Sequence, residues 1–99
     1  MKTRRPEARK CEVMAAALAL ARLSSYLLVT REAVAERAQC SPASVSRLYG
    51  TMPQFRRAIM SAAVAAQDLT VIGQGVAAQD PKALAASSKV RRAAMESFL

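Results

Sequence analysis

Residues 30–50 read TREAVAERAQCSPASVSRLYG, from Thr30 to Gly50, and this stretch decides the fold. Thr30 is a helix-capping residue type, and Glu32 follows in the first turn, where a carboxylate meets the positive end of the helix dipole. Val34, Ala35 and Ala38 recur at helical spacing, which predicts a helix over 31–39 with one apolar face. Cys40-Ser41-Pro42 breaks the pattern. Ser41 is a good N-cap and Pro42 suits the first turn of a new helix, so a second short helix is expected from Pro42 to Tyr49, ended by Gly50. Two capped helices across a tight break are the outline of a helix-turn-helix, whose second helix enters the major groove of DNA. Small Ala35 lies where the two helices must approach closely. Val34, Val45 and Tyr49 are apolar where the pair meets the core, and Cys40 is expected as a buried turn residue. Ser44, Ser46 and Arg47 fall on the opposite side, available to base edges and phosphates, and Ser41 can offer its hydroxyl to a phosphate at a helix N-terminus.

The flanks extend the helical pattern. Pro6 and Glu7 suit the start of a long helix running to about Ser24, with Met14, Ala17, Leu18 and Ala21 along one face. Ser24-Ser25 interrupts it, and Tyr26 to Val29 is a short apolar connector. Thr51 caps a fourth helix reaching about Leu69, whose apolar side is Phe55, Ile59, Met60, Ala63 and Val64. Val71 to Gly75 holds two of the three glycines and reads as a loop. Asp80-Pro81 opens a last helix to about Phe98, with Leu84, Val90, Ala94 and Phe98 near one face. The only aromatics are Tyr26, Tyr49, Phe55 and Phe98, and alanine dominates the apolar residues. Such a composition favours helix over sheet. The expected fold is all-α: a compact helical bundle containing a helix-turn-helix, with one additional C-terminal helix. Three regions follow: a flexible basic arm over 1–5, the helix-turn-helix domain over 6–69, and a loop and helix over 70–99. The last either packs on its own domain or pairs with a second copy.

Charge narrows the partner. Fifteen Lys and Arg against seven Asp and Glu give a net charge of +8, which favours a polyanion without separating DNA from RNA or an anionic membrane surface. No apolar run approaches the roughly 18 residues of a membrane span. The basic residues Lys2, Arg4, Arg5, Arg9 and Lys10 ahead of the apolar stretch 13–21 imitate a signal peptide. Glu7 and Glu12 interrupt that basic region, and the apolar stretch is mostly alanine, so a cytoplasmic protein with reduced thiols at Cys11 and Cys40 is expected. The chain has no His, no Cys-x-x-Cys, no paired acid and base and no glycine-rich phosphate loop. Neither an enzyme nor a cofactor or metal site is expected. The remaining rival is a helical protein-interaction module, an adaptor or inhibitor with a basic surface.

From about Ala15 to Ala65 the chain resembles the N-terminal DNA-binding domain of the tetracycline-repressor (TetR) family. The residues that carry the resemblance are Tyr26, Thr30, Val34-Ala35, Ala38-Gln39-Cys40-Ser41, Val45, Tyr49-Gly50-Thr51 and Phe55. The chain departs from the family pattern at four places. Gln39 replaces the turn glycine, Ser46 the recognition-helix tyrosine, Met52 a basic residue opening the fourth helix, and Ser25 the glycine before the aromatic connector. The resemblance implies a sequence-specific transcriptional regulator, a repressor, reading double-stranded DNA. The expected contact residues are Thr30, Ser41, Pro42, Ala43, Ser44, Ser46 and Arg47, with Arg4 and Arg5 of the basic arm. A homodimer is expected, since one such motif reads only a few base pairs. About 30 residues follow the fourth helix, too few to enclose a ligand in the family's manner, so no small-molecule effector is expected.

Overall fold

The computed structural model describes residues 5–97. Arg4 and the rest of the expected basic arm up to that point, and Phe98 at the other end, lie outside the described residues. Seven α-helices and one 3₁₀ turn make up the described chain: α1 Pro6–Leu23, the turn Tyr26–Leu28, α2 Arg31–Ala38, α3 Pro42–Tyr49, α4 Met52–Ala66, α5 Leu69–Ala77, α6 Pro81–Leu84 and α7 Ser88–Glu96. No strand occurs among the described residues. The protein is an all-α helical bundle.

Local chemistry sets most of the boundaries. Thr30, Ser41, Asp68 and Ser87 each cap the following helix by accepting the backbone N–H three residues on, at 3.2–3.3 Å. Thr51 and Gln54 form a reciprocal capping box at the start of α4, which satisfies two donors that a helix start otherwise leaves orphaned. Gly50 ends α3 at φ 81°, backbone that suits glycine, and a Cβ there would collide with the Gln54 side chain of that box. The pentapeptide Val-Ala-Ala-Gln-Asp occurs twice, at 64–68 and 76–80. Each copy closes a helix with its glutamine in left-handed backbone, Gln67 at φ 54° and Gln79 at φ 59°, and opens the next with its aspartate.

Three expectations are corrected beyond residue 66. First, α4 ends at Ala66 rather than near Leu69, because Gln67 turns left-handed and Asp68 caps α5. Second, 71–75 is not a loop but the middle of α5. Each glycine costs a helix about 1 kcal/mol relative to alanine. At Gly75 close packing decides the matter: a Cβ would lie 2.5 Å from Met60 Cε and 2.6 Å from Ala83 Cβ, so only glycine lets α5 approach α4 and α6. Third, the last helix is broken in two. Ser87 accepts the Val90 N–H at 3.2 Å, and Arg91 donates from Nε to the Ala86 carbonyl at 3.1 Å, which restarts the chain as α7. Leu84 is consequently 41% exposed rather than part of a buried face.

A single core runs through all of this. Val13, Ala17 and Ala21 of α1 meet Val34 and Ala35 of α2, Val45 of α3 and Phe55, Ile59, Met60 and Ala63 of α4. The same cluster continues into Val71 and Ile72 of α5, Ala83 of α6 and Ala94 of α7. The buried stripe of α1 is centred on Val13 and Ala17, leaving Met14 and Leu18 half-buried at its edge. Polar contacts fasten the C-terminal helices to the connector: the Gln74 amide donates to the Ala21 carbonyl at 2.8 Å and accepts the Tyr26 N–H at 2.9 Å. Tyr26 is 2% exposed and donates its hydroxyl to Asp80 at 2.9 Å. Arg22 pairs with Asp68 at 2.7 Å. Thus α5, α6 and α7 pack on their own chain.

Candidate nucleic-acid interface

The site grows from the turn between α2 and α3. Gln39 holds left-handed backbone at φ 58°, ψ 49°, and Cys40 N–H donates back to the Ala35 carbonyl at 2.9 Å. This closes α2 as a glycine would close it, and the chain then leaves extended through Ser41 into α3. Cys40 is half-buried rather than fully buried. Val45 is the one fully buried residue of α3 and pins the helix to the core, with Leu48 and Tyr49 half-buried beside it.

Ala43 and Arg47, on the side of α3 opposite Val45, are exposed, as are Ser41 and Pro42 at the helix start. Ser41, Pro42 and Ala43 surround the helix N-terminus, where free N–H groups and the dipole favour an anion, while Arg47 lies in the last turn. Ser44 and Ser46, half-buried, flank that face, and both already hold internal contacts. Ser44 Oγ lies 3.0 Å from Ser41 Oγ and accepts from Arg47 Nη2 at 3.4 Å. Ser46 Oγ accepts from Arg31 Nη1 at 3.2 Å. Thr30, exposed at the start of α2, accepts the Ala33 N–H and keeps its own hydroxyl proton to donate. Arg5 is exposed immediately before α1. Expected positions 41–44, 46 and 47 lie together on α3 and its cap, Thr30 is joined to them through the neighbouring Arg31, and α1 lies beside them at Lys10.

Tyr49 makes that last connection. Its ring stacks on Phe55 at 5.0 Å between centroids, its hydroxyl donates to the Lys10 carbonyl at 3.0 Å, and the Lys10 ammonium lies 5.2 Å from its ring centre. Burial, followed by the nearby Cys11, raises the Tyr49 pKa. Arg9 donates from Nη1 to the Ala38 carbonyl at the end of α2. Lys10 and Arg9 thus stand beside the helix pair, and Arg31 braces Ser46. Sequence reasoning missed all three as site residues. Its signal for them was only the basic composition of 2–10 and a position one past a cap.

Charge is uneven along the chain. Between Glu36 and Asp68 there is no carboxylate, while Arg37, Arg47, Arg56 and Arg57 fall in that interval. The interval includes all of α3 and α4. Asp68 and Asp80 act inside the fold, Asp68 on Arg22 and the α5 cap, and Asp80 on Tyr26 and the α6 cap. No helix among the described residues is long and apolar enough to cross a membrane. Compared with known proteins, the chain matches no family model, no curated protein and no solved structure.

Proposed function

We propose that this protein is a sequence-preferring regulator that binds double-stranded DNA, with α3 in the major groove. The observation that carries this reading is the α2–turn–α3 unit. Its second helix is held by Val45 and presents Ser41, Pro42, Ala43 and Arg47 outward, within an interval free of carboxylates. An exposed N-terminal half on a short, firmly seated helix is what groove entry requires, and a net charge of +8 supplies attraction to phosphate. In support of base reading by Arg47, the one side-chain hydrogen bond it makes among the described residues is a long one to Ser44, within one helical turn. The resemblance to the TetR family supports repression as the outcome, by occupancy of a promoter in the cytoplasm. Two copies on adjacent half-sites make the functional unit, because a helix of this length reads only a few base pairs.

The test is selection of bound sequences from a random duplex pool. The expected result is a two-fold symmetric consensus, with half-sites about one helical turn apart, bound by two copies. Binding should weaken steeply with salt. Failure to retain any duplex at ~50 mM salt would refute the DNA reading and favour a protein-interaction module with a basic surface.

A further inference from the structure

Three exposed leucines stand together where α1 meets the 3₁₀ turn. Leu23 at the end of α1 is 77% exposed, and Leu27 and Leu28 of the turn are 46% and 70% exposed. Even fully extended, the chain from Leu23 to Leu28 spans no more than about 18 Å, so the three make one patch. The other large apolar residues that are exposed, Leu84 and Met95, each stand alone on a different helix. The fold does not need the leucines to build this corner. Tyr26 supplies the buried side chain of the turn, Ser25 Oγ accepts the Leu27 N–H at 3.2 Å, and Gln74 accepts the Tyr26 N–H at 2.9 Å. A polar residue at 23 or 28 would leave all of this intact and would be better solvated.

The patch is also the neutral part of a basic chain. Between Ala15 and Thr30 the only charged residue is Arg22, and Asp68 pairs with it at 2.7 Å. That stretch offers no free cation to a nucleic acid or an anionic lipid headgroup, and sets no local charge against another copy of itself. The area fits a dimer contact. At these exposures the three leucines present roughly 350 Å² of apolar surface, a size that on a monomer often marks an interaction site. Two such patches face to face bury about 700 Å² of apolar surface, and interfaces are about 56–65% apolar, so the whole contact comes to about 1,100–1,200 Å². This clears the ~1,000 Å² that a specific interface needs and stays well below the size of an obligate one.

We propose that two copies of this chain associate reversibly around a two-fold axis through Leu23, Leu27 and Leu28. In such a contact the same patch serves both sides, so an apolar surface is its own complement. Ser24 and Thr30, both exposed, begin the polar rim. The inference goes beyond the DNA reading and does not need it: the two copies meet in the absence of DNA.

The test is sedimentation of the full chain without DNA from ~1 to ~500 μM, where a reversible monomer–dimer equilibrium is expected with a Kd on the order of 10–100 μM. Raising salt from ~0.1 to ~0.5 M should leave association intact or strengthen it, because the contact is apolar and salt screens the repulsion between two chains of charge +8. Leu23→Lys and Leu28→Lys should each weaken it at least about tenfold, since every substitution enters the contact twice and buries an unpaired charge. Leu28→Met should retain it. At ~1 μM, where the wild type is monomeric, the lysine variants should melt at the wild-type midpoint. A monomer at every concentration overturns the proposal, as does a dimer that both lysine variants still form or that dissociates in high salt. Earlier melting of the lysine variants at that dilution overturns it too, because the leucines would then be structural. Binding to phosphatidylglycerol vesicles that depends on the leucines, by a chain that stays monomeric in solution, overturns it by giving the patch to a membrane. None of these results touches duplex binding, so failure of the dimer and failure of the DNA reading are told apart.

Discussion

Gln39→Gly should stabilise the protein without altering what it binds. Gln39 sits at φ 58°, ψ 49°, its side chain exposed and without a hydrogen bond, while its backbone N–H and that of Cys40 close the end of α2. The substitution therefore changes backbone freedom and little else. Left-handed backbone costs a residue with a Cβ about 1–2 kcal/mol, a cost glycine does not carry. Glycine also loosens the unfolded chain, which gives back about 0.5–1 kcal/mol. The net gain is about 0.5–1 kcal/mol, or a rise of about 2–8 °C in the thermal midpoint for a domain of this size. Thermal and urea unfolding followed by circular dichroism measure it. Gln39→Ala keeps the Cβ and should show no gain. An unchanged or lower midpoint for Gln39→Gly would mean that the glutamine side chain itself holds the turn, and the reasoning would fail. Duplex preference should not move, since the same backbone bonds orient α3.

Arg47→Ala should relax preference at one position of each half-site by about 1–3 kcal/mol, while binding to random duplex stays nearly intact. A uniform loss across sequences, with a lower salt slope, would assign Arg47 to phosphate instead. Gly75→Ala should destabilise by about 1–3 kcal/mol in urea unfolding, because the new methyl meets both Met60 and the unyielding Ala83 Cβ. Burial, and then the hydrogen bond to Asp80, push the Tyr26 pKa up to about 12. The unfolded chain ionises this phenol near 10, before the folded protein does, so stability is intact below pH 10 and falls by about 2–3 kcal/mol toward pH 12. Tyr26→Phe should lack that part of the alkaline loss, which paired pH series of urea midpoints would reveal.

The helix-turn-helix was legible because its signals are local. Thr30, Ser41 and Thr51 each bond a backbone N–H within their own first turn, so residue type and position predict the boundary directly. Val45 and Arg47 sit on opposite sides of a regular helix, so their placement follows from periodicity alone. The C-terminal third was misread where tertiary packing overrides local preference. Two glycines in α5 look like a loop, and only Met60 and Ala83 explain why Gly75 stands inside a helix. The helix break before α7 was written in Ser87, but the helix-forming alanines just before it concealed it. The repeated Val-Ala-Ala-Gln-Asp would have marked two helix junctions, had glutamine been weighed as a left-handed cap. Arg56 was illegible in principle. Nothing in its neighbours along the chain says that its Nε is buried without a partner or that it lines one cleft with Thr30 and Arg31.

The two ends of α1 tie the α2–α3 pair to the helices that follow α4. Near the N-terminal end, the Lys10 carbonyl accepts the Tyr49 hydroxyl and ties α1 to α3. Near the other, the Ala21 carbonyl accepts the Gln74 amide, and Arg22 pairs with Asp68, tying α1 to the α4–α5 junction. Eleven residues separate the two carbonyls, a rise of about 16 Å along the axis. Bonds near both ends fix not only where α1 lies but how it is rotated, which the alanines on its buried face could not do alone. Ala16, Ala17 and Ala21 present small side chains that interlock weakly with their neighbours. A rotation of α1 would carry Lys10 away from Tyr49 and release α3 from one of its supports. On this geometry α5, with Gln74 and the close approach at Gly75, bears on α3 at a distance: it holds the strut whose far end holds α3.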